Sequence, residues 1–559
     1  MNNFKSDYET YFVEYYGDIK NETDKLDYAF VYEELPIYYV VLIEEGRIKD
    51  FLRDVPGIIS IQQNYIYELS QIEEKDYSLE DKCVNLKSQY NGSGVTVGVI
   101  GGGIDYLDKE FIHEDGKSRI KAIWDQTIDW EKPKENFYGK IYEQRDIEEA
   151  IELYRKGDRP HKSIEHLDGG GYGTTICKAI GGSRYNSVNQ CEFVIVKLKK
   201  AEIITRSMNC IKFRNGNLYE TYDVVKALQY LAEFNKANNG PMVVYLPVES
   251  NSGGRNGSSV LERYINYFSN INNDFFVIVN NGNEGDGYRH SEGNIQNDTV
   301  LYIPIVVGTE TNEDKDERRY DFQISLWTNI HDEFLFKVIS PLREETLELS
   351  NLNLFKILNF DLNGGSIEVI AIPQGLKSKE REIIIKIRNA VQGTWIVHLE
   401  GKEIIYGDYD MWLPMKELTN YNVNFRYPCK GRTLTTPATA KKVLTSMCYS
   451  QYEKGIRVLS GKPCEDIKKR THESFVVDST GLLIEDEYGI LKVDGVAVSG
   501  CILCWMIILI LQWSVTECHN PNIDLRGIKL LLTRASTRHL SNCYSIVDIN
   551  KLNDLLLEL

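Results

Sequence analysis

The chain has 559 residues, enough for two or three domains with a large core, and it carries 82 acidic against 64 basic residues, a formal net charge of -18. That balance argues against non-specific binding to nucleic acid or anionic lipid, both of which need clustered Lys and Arg; Lys197 to Lys200 and Lys468-Lys469-Arg470 read as solvated faces. The N-terminus, Met1 to Thr10, has no apolar core of the kind a secretory signal needs, and the longest apolar run, Cys501 to Leu511, is too short for a bilayer span. Eleven cysteines without a paired pattern read as reduced thiols. Cys501 and Cys504 form one Cys-x-x-Cys with no second pair or nearby His, so they read as buried helix cysteines, and neither a metal site nor a cofactor is expected.

Residues 1–70 alternate between short apolar runs and turns. Tyr11 to Tyr16, Tyr28 to Glu33, Ile37 to Ile43 and Ile58 to Gln62 predict strands, and Arg47 to Val55 predicts a helix, together a small α+β unit. An α/β pattern begins at Gly94. Val95 to Phe111 opens with a run of small and β-branched residues that ends in Gly101-Gly-Gly103, a buried parallel strand stopping in a tight turn, and such strand ends carry chemistry in α/β folds. A polar stretch from Trp130 to Arg159 reads as surface loop and helix. Then follow Asp168-Gly-Gly-Gly-Tyr-Gly-Thr-Thr175 leading into a helix with small residues, a strand at Cys191 to Lys200, an amphipathic helix at Asp223 to Asn238 and a strand at Met242 to Val248. Phe275 to Gly285 is a buried strand followed by Gly-Asn-Glu-Gly. Between Thr311 and Pro437, short β-branched or aromatic runs separated by turn residues predict an all-β module of sandwich type. Asp494-Gly-Val-Ala-Val-Ser-Gly500 then leads into an apolar helix up to Trp513.

The four glycine-rich segments, in this order, resemble the catalytic segments of subtilisin-like serine proteases. Glu249-Ser-Asn-Ser-Gly-Gly-Arg-Asn-Gly-Ser-Ser-Val-Leu-Glu262 and the all-β insertion are similar to one subgroup, the Csp-type proteins of spore-forming anaerobes. The resemblance implies an α/β fold, a subtilisin-like parallel sheet flanked by helices, with an N-terminal α+β prodomain at 1–70, subtilisin-like parts at 71–310 and 438–559, and a jelly-roll insertion at 311–437. It also implies that the tail of the prodomain, Asn64 to Ser70, lies in the active-site cleft.

The catalytic Asp, His and Ser of the family fall on Gly101, Tyr172 and Ala497, and its oxyanion Asn on Asn283. A phenol with a pKa near 10 is no general base at neutral pH, and Ala has no group to attack a carbonyl. On the strand that pairs with substrate, Pro247 and Glu249 replace Ser and Gly, and are expected to weaken peptide binding.

By the resemblance, the chain is a catalytically degenerate member, a pseudoprotease regulating spore germination. Active members process the zymogen of a cortex-lytic enzyme. The implied partner is an active Csp-type protease or another germination regulator, with a small-molecule germinant as a further ligand, and the implied location is the cortex or coat region of the spore. The alternative is an active serine-type endopeptidase with rearranged groups, for which Ser499, Thr174 and Asp105 are the candidates. The two differ in N-terminal integrity, since an active member would cut itself near Ser70.

Overall fold

The computed structural model describes residues 7–74, 88–129, 137–160, 163–184, 187–211, 217–285, 287–308, 319–352, 356–372, 379–419, 422–450, 457–458, 461, 474–486, 489–538 and 545–559. Trp130, Thr311 and the Lys468-Lys469-Arg470 cluster lie outside the described residues.

The opening strand, Thr96–Gly101, sits in the middle of the main sheet and is apolar on both faces. Val97 and Val99 join Ile195, Val243 and Tyr245 on one face, whereas Ile100 joins Val194, Val196 and Val244 on the other. This double burial is why the strand reads as a continuous apolar run. The central strands are parallel and follow the order Ile120–Asp125, Glu192–Lys197, Thr96–Gly101, Met242–Leu246, Phe275–Asn280, Val443–Ser450 and Ser474–Asp478. The chain first builds the sheet to one side of the opening strand and then, from Met242, to the other. Winding therefore reverses beside Gly101, and such reversals place a crevice at the carboxyl ends of the strands.

One face of the sheet carries the helix Val496–Leu511, in which every residue is buried. The other carries the helices Thr221–Asn238 and Val260–Ile271. Gly98 permits this second seating, since a Cβ there would stand 2.8 Å from Leu231 Cδ1. The apolar helix is longer than the run Cys501 to Leu511. Val496 to Gly500 extend it at one end and a π-turn to Thr516 at the other, so that its 21 residues have the length and hydropathy of a membrane span while its apolar window lies entirely inside the protein. Cys501 and Cys504 are free and buried in it, and burial pushes both thiols up.

The N-terminal unit is an antiparallel sheet of Ala29–Glu34, Tyr39–Glu44, Tyr8–Tyr15 and Ile58–Gln63, with a helix at Ile48–Asp54. Phe12, Leu35, Tyr38 and Val40 pack on the helices Thr221–Asn238 and Val260–Ile271. Around them, buried Lys226 Nζ bonds Glu33 at 2.7 Å and Arg263 bonds Glu14 at 2.8 Å.

The insertion consists of two antiparallel sheets of six and five strands enclosing Phe322, Phe336, Ile385 and Trp395. It takes in His290–Asn294 and Val300–Val307, which lie before residue 311. Neither announces itself: the first is polar, and the second contains Pro304, tolerated because on its other side Val423–Phe425 pairs only with Ile305 to Val307. Lys197 does not belong to the solvated face expected for Lys197 to Lys200; it reaches inward to Asp125 at 3.3 Å and to the Leu167 carbonyl at 2.9 Å.

Candidate functional site

The opening strand ends at Gly101, and the turn after it is crossed at close range by the helix Tyr172–Gly181. Gly173 makes that crossing feasible, because a Cβ there would fall 1.9 Å from the Gly103 carbonyl oxygen. The helix starts after Gly171, whose φ of 69° lies in the left-handed region. Asp168 accepts from the Thr174 backbone N–H at 2.8 Å and from its hydroxyl at 2.6 Å, which satisfies an orphan donor of the first turn. The Asp-x-x-x-x-Gly-Thr spacing is thus a device that holds Tyr172 beside Gly101. A Cβ at Gly101 would stand 3.9 Å from Tyr172 Cε1 and 3.8 Å from Leu69 Cδ2.

Into this corner comes the chain's own segment 64–74. Ile66–Leu69 lies between Leu218–Glu220 and Val248–Glu249, antiparallel to both, as the central strand of a three-stranded sheet. Asn64 Nδ2 donates to Glu220 at 2.7 Å at its start. At its end the Ser70 N–H donates to the Pro247 carbonyl at 2.8 Å. Tyr172 Oη donates to the Ser70 carbonyl at 2.8 Å, and Asn280 Nδ2 to the Ser70 hydroxyl at 2.9 Å. The Ala497 N–H donates to the Gln71 carbonyl at 3.2 Å. This carbonyl therefore occupies the N-terminus of the helix Val496–Leu511, where unpaired N–H groups and the helix dipole favour a partially negative oxygen. The chain continues without a break, and Glu73–Glu74 pairs with Val493 and Asp494. Gly101, Tyr172 and Ala497, 396 positions apart from first to last (497 minus 101), thus converge on Leu69, Ser70 and Gln71.

Pro247 and Glu249, the two residues expected to weaken peptide binding, both lie against this segment. Pro247 takes part through its carbonyl, which needs no N–H, and Glu249 pairs its backbone with Glu68. The Glu249 carboxylate accepts from the Asn283 backbone N–H at 3.1 Å. Asn283 Nδ2 lies 3.5 Å from the Gln71 side-chain oxygen, at the outer limit of a hydrogen bond, and so meets the tail through a side chain and not through a backbone carbonyl.

The Clostridium perfringens CspB protease has a similar structure, with a TM-score of 0.69 at 21% sequence identity over 84% of this chain and 94% of CspB. The fold is that of the subtilisin-like proteins of the Csp type. Fervidolysin from Fervidobacterium pennivorans, a keratinolytic enzyme related to subtilisin, aligns over 99% of this chain and 62% of its own at a TM-score of 0.47 and 10% identity. A mutant of EpiP, the epidermin leader peptide processing serine protease of Staphylococcus aureus, aligns over 98% of this chain and 100% of its own at a TM-score of 0.45 and 10% identity. No protein-family model matches the sequence, and no curated protein matches it.

Within this subtilisin-like frame, the described groups that touch Ser70 and Gln71 hold a peptide through its backbone and through side-chain amides and hydroxyls. Burial pushes the Tyr172 phenol well above its ordinary range, and its proton is committed to the Ser70 carbonyl. Ala497 presents a methyl group, and its own carbonyl accepts from Tyr245 Oη at 2.6 Å. The hydroxyl of Ser499 is fully buried, donating to the Val496 carbonyl at 2.7 Å beside Ser446 at 3.1 Å. Thr174 Oγ1 is held by Asp168 and by the Asp105 N–H at 2.8 Å, and Asp105 accepts from the Leu107 N–H at 3.0 Å.

Two features escaped the sequence. Asn280, the last residue of its strand, is fully buried and ties Ser70 to Tyr245 and Ser446; its only signal is a polar residue ending an apolar run. Behind the Gly101-Gly-Gly103 turn, His166 Nδ1 lies 2.6 Å from Asp125, and its Nε2 accepts from the Ile104 N–H at 3.2 Å. Both side chains are sealed from solvent, so this His–Asp pair buttresses the turn and does not face the cleft. Burial alone would raise the Asp125 carboxyl, but His166, Thr127 and Lys197 outweigh it and hold the group below its usual range. Nothing in the spacing of residues 125 and 166 marks this pair.

Proposed function

We propose that this chain is a catalytically inactive subtilisin-like protein that regulates spore germination through a protein partner, an active Csp-type protease or another germination regulator, with a small-molecule germinant as a further ligand. The observation that carries the reading is the uninterrupted segment 64–74 lying across Gly101, Tyr172 and Ala497. A peptide is held there by its backbone on both sides, yet among the described residues no group positioned to cleave it is within reach. The N-terminal unit then stays covalently attached and fills the cleft, and the protein acts by binding. The spore setting, in the cortex or coat region, follows from the likeness to Csp-type proteins.

Intact mass tests this reading. The natural chain is expected to remain full length after purification. A variant carrying Gly101→Asp, Tyr172→His and Ala497→Ser is expected to cut itself next to Ser70 or Gln71, because the tail is already seated and a Cβ at Gly101 meets nothing closer than 3.8 Å. Cleavage of the natural chain at that point, persisting under protease inhibitors, would overturn the proposal in favour of a rearranged endopeptidase. Binding to an active Csp-type protease, measured with the full chain, tests the partner.

A further inference from the structure

At one edge of the six-stranded sheet of the insertion, His290–Asn294 pairs antiparallel with Asp408–Trp412, placing His290 opposite Trp412 and Glu292 opposite Asp410. Side chains alternate along a strand, so His290 and Glu292 share one face, and the register brings Asp410 onto that face beside Glu292. An imidazole nitrogen and two carboxylate oxygens from these residues lie within 4.8 Å of one another. Glu292 and Asp410 line a cleft of about 900 Å³ together with Tyr409, Cys429 and Arg432, and His290 is buried behind them.

The imidazole is oriented. Its Nδ1 lies 2.8 Å from the Gly431 carbonyl, which can only accept, so Nδ1 carries a hydrogen and Nε2 is the nitrogen turned to Asp410 Oδ1 at 2.8 Å. The ring stacks on Trp412 at 5.1 Å and 12°. A ring N–H donated to a backbone carbonyl is how a metal-ligating His is oriented, and a bound ion would take the place of the hydrogen that Nε2 now offers to Asp410. Asp410 divides its two oxygens. Oδ2 takes Arg432 at 2.5 Å and Oδ1 faces the imidazole, so the arginine can stay in place as an outer partner. Glu292 is the member with room to move, with a side chain 37% exposed and 3.8 Å from Arg432. Ligands at about 2.0–2.1 Å in a tetrahedron stand roughly 3.4 Å apart, so the His290–Asp410 contact has to widen by about half an ångström and Glu292 has to swing inward.

We propose that His290, Glu292 and Asp410 bind one divalent transition-metal ion of the zinc class. One imidazole and two carboxylates suit such an ion, whereas calcium and magnesium prefer all-oxygen sets. Three protein ligands leave a coordination position toward the cleft for water or a small anion. The site lies outside the tail-filled crevice and does not depend on the function proposed above.

Equilibrium dialysis of the full chain against zinc ion alone, with bound metal quantified, tests the site. About one zinc per chain is expected, with affinity lowered about tenfold or more in Glu292→Gln and lost in His290→Ala. Glu292→Gln changes a partly exposed side chain, so it decides the matter even where His290→Ala fails to fold. Absence of bound zinc, zinc binding unchanged in Glu292→Gln, or calcium retained in preference to zinc would each overturn the proposal.

Discussion

Replacing Tyr172 with Phe removes one oxygen atom from the wall of the cleft and leaves the ring that packs beside Gly101. The lost bond, 2.8 Å to the Ser70 carbonyl, is a neutral hydroxyl-to-carbonyl hydrogen bond, and the residue that keeps the orphaned acceptor is fully buried. A net bond contributes about 0.5–1.5 kcal/mol, and a buried acceptor left unpaired costs about 1–3 kcal/mol, so local detachment of the tail should become easier by about 1–2 kcal/mol. At about 1.4 kcal/mol per decade this is roughly a 5- to 30-fold rise in the open population. Hydrogen exchange measured by mass spectrometry reads it directly, because the Ser70 N–H is protected only while it donates to the Pro247 carbonyl. Peptides spanning 66–71 should exchange faster by that factor, while Tyr39–Glu44, in the sheet of the N-terminal unit, should exchange as before. Unchanged exchange at 66–71 would refute the anchoring role of Tyr172. An equal acceleration in both regions would refute the local character of the effect.

Two further outcomes test the scaffold behind the cleft. Asp125→Asn should lower the melting temperature at neutral pH, since it removes the charge facing His166 and Lys197. Because the folded-state pKa of Asp125 is depressed, its stabilisation is present above the unfolded value of 3.8 and fades as pH falls below it. The stability curves of natural chain and variant should therefore converge below about pH 4; a gap that stays constant down to acid pH would refute this assignment. Gly173→Ala should destabilise by about 3 kcal/mol or more, because its Cβ meets backbone and not a side chain that can swing aside. Circular dichroism melting checks this, and a variant as stable as the parent would show that helix Tyr172–Gly181 does not depend on its approach to Gly103.

Much of the scaffold was legible because burial imposes a period. Thr96–Gly101, Glu192–Lys197 and Phe275–Asn280 are buried on both faces and read as unbroken apolar runs. In the insertion this gives way to the alternation seen along Glu333–Ile339, where every second residue is buried, and that change of period is what marks a separate all-β module.

What stayed hidden was contact made by single residues. Glu73–Glu74 pairs with Val493 and Asp494 over two residues, too short a stretch to leave any pattern. The His166–Asp125 pair and the carbonyl of Gln71 on the Ala497 N–H depend on loops that close over long separations. At the site itself, Gly101, Tyr172 and Ala497 were readable as members of three glycine-rich segments, and the structure brings all three to one tail. The route of the tail past Ser70 was not readable, because it is set by backbone pairing, which any side chain permits. The group His290, Glu292 and Asp410 was hidden for the same reason: strand register, and not spacing along the chain, brings residue 410 to residues 290 and 292.

If the tail stays uncut, as proposed above, it also fixes the terms of competition for the crevice. A segment joined to its own binding groove by a short stretch of chain acts at an effective concentration in the millimolar range or above. A free peptide of equal intrinsic affinity must reach that concentration to take its place, and a cellular partner at micromolar levels is outcompeted by about a thousandfold. Under the function proposed here, a regulator that reads this protein therefore meets it on the surfaces that the tail leaves open, and the groove serves as an internal clasp that keeps the N-terminal unit seated on the sheet.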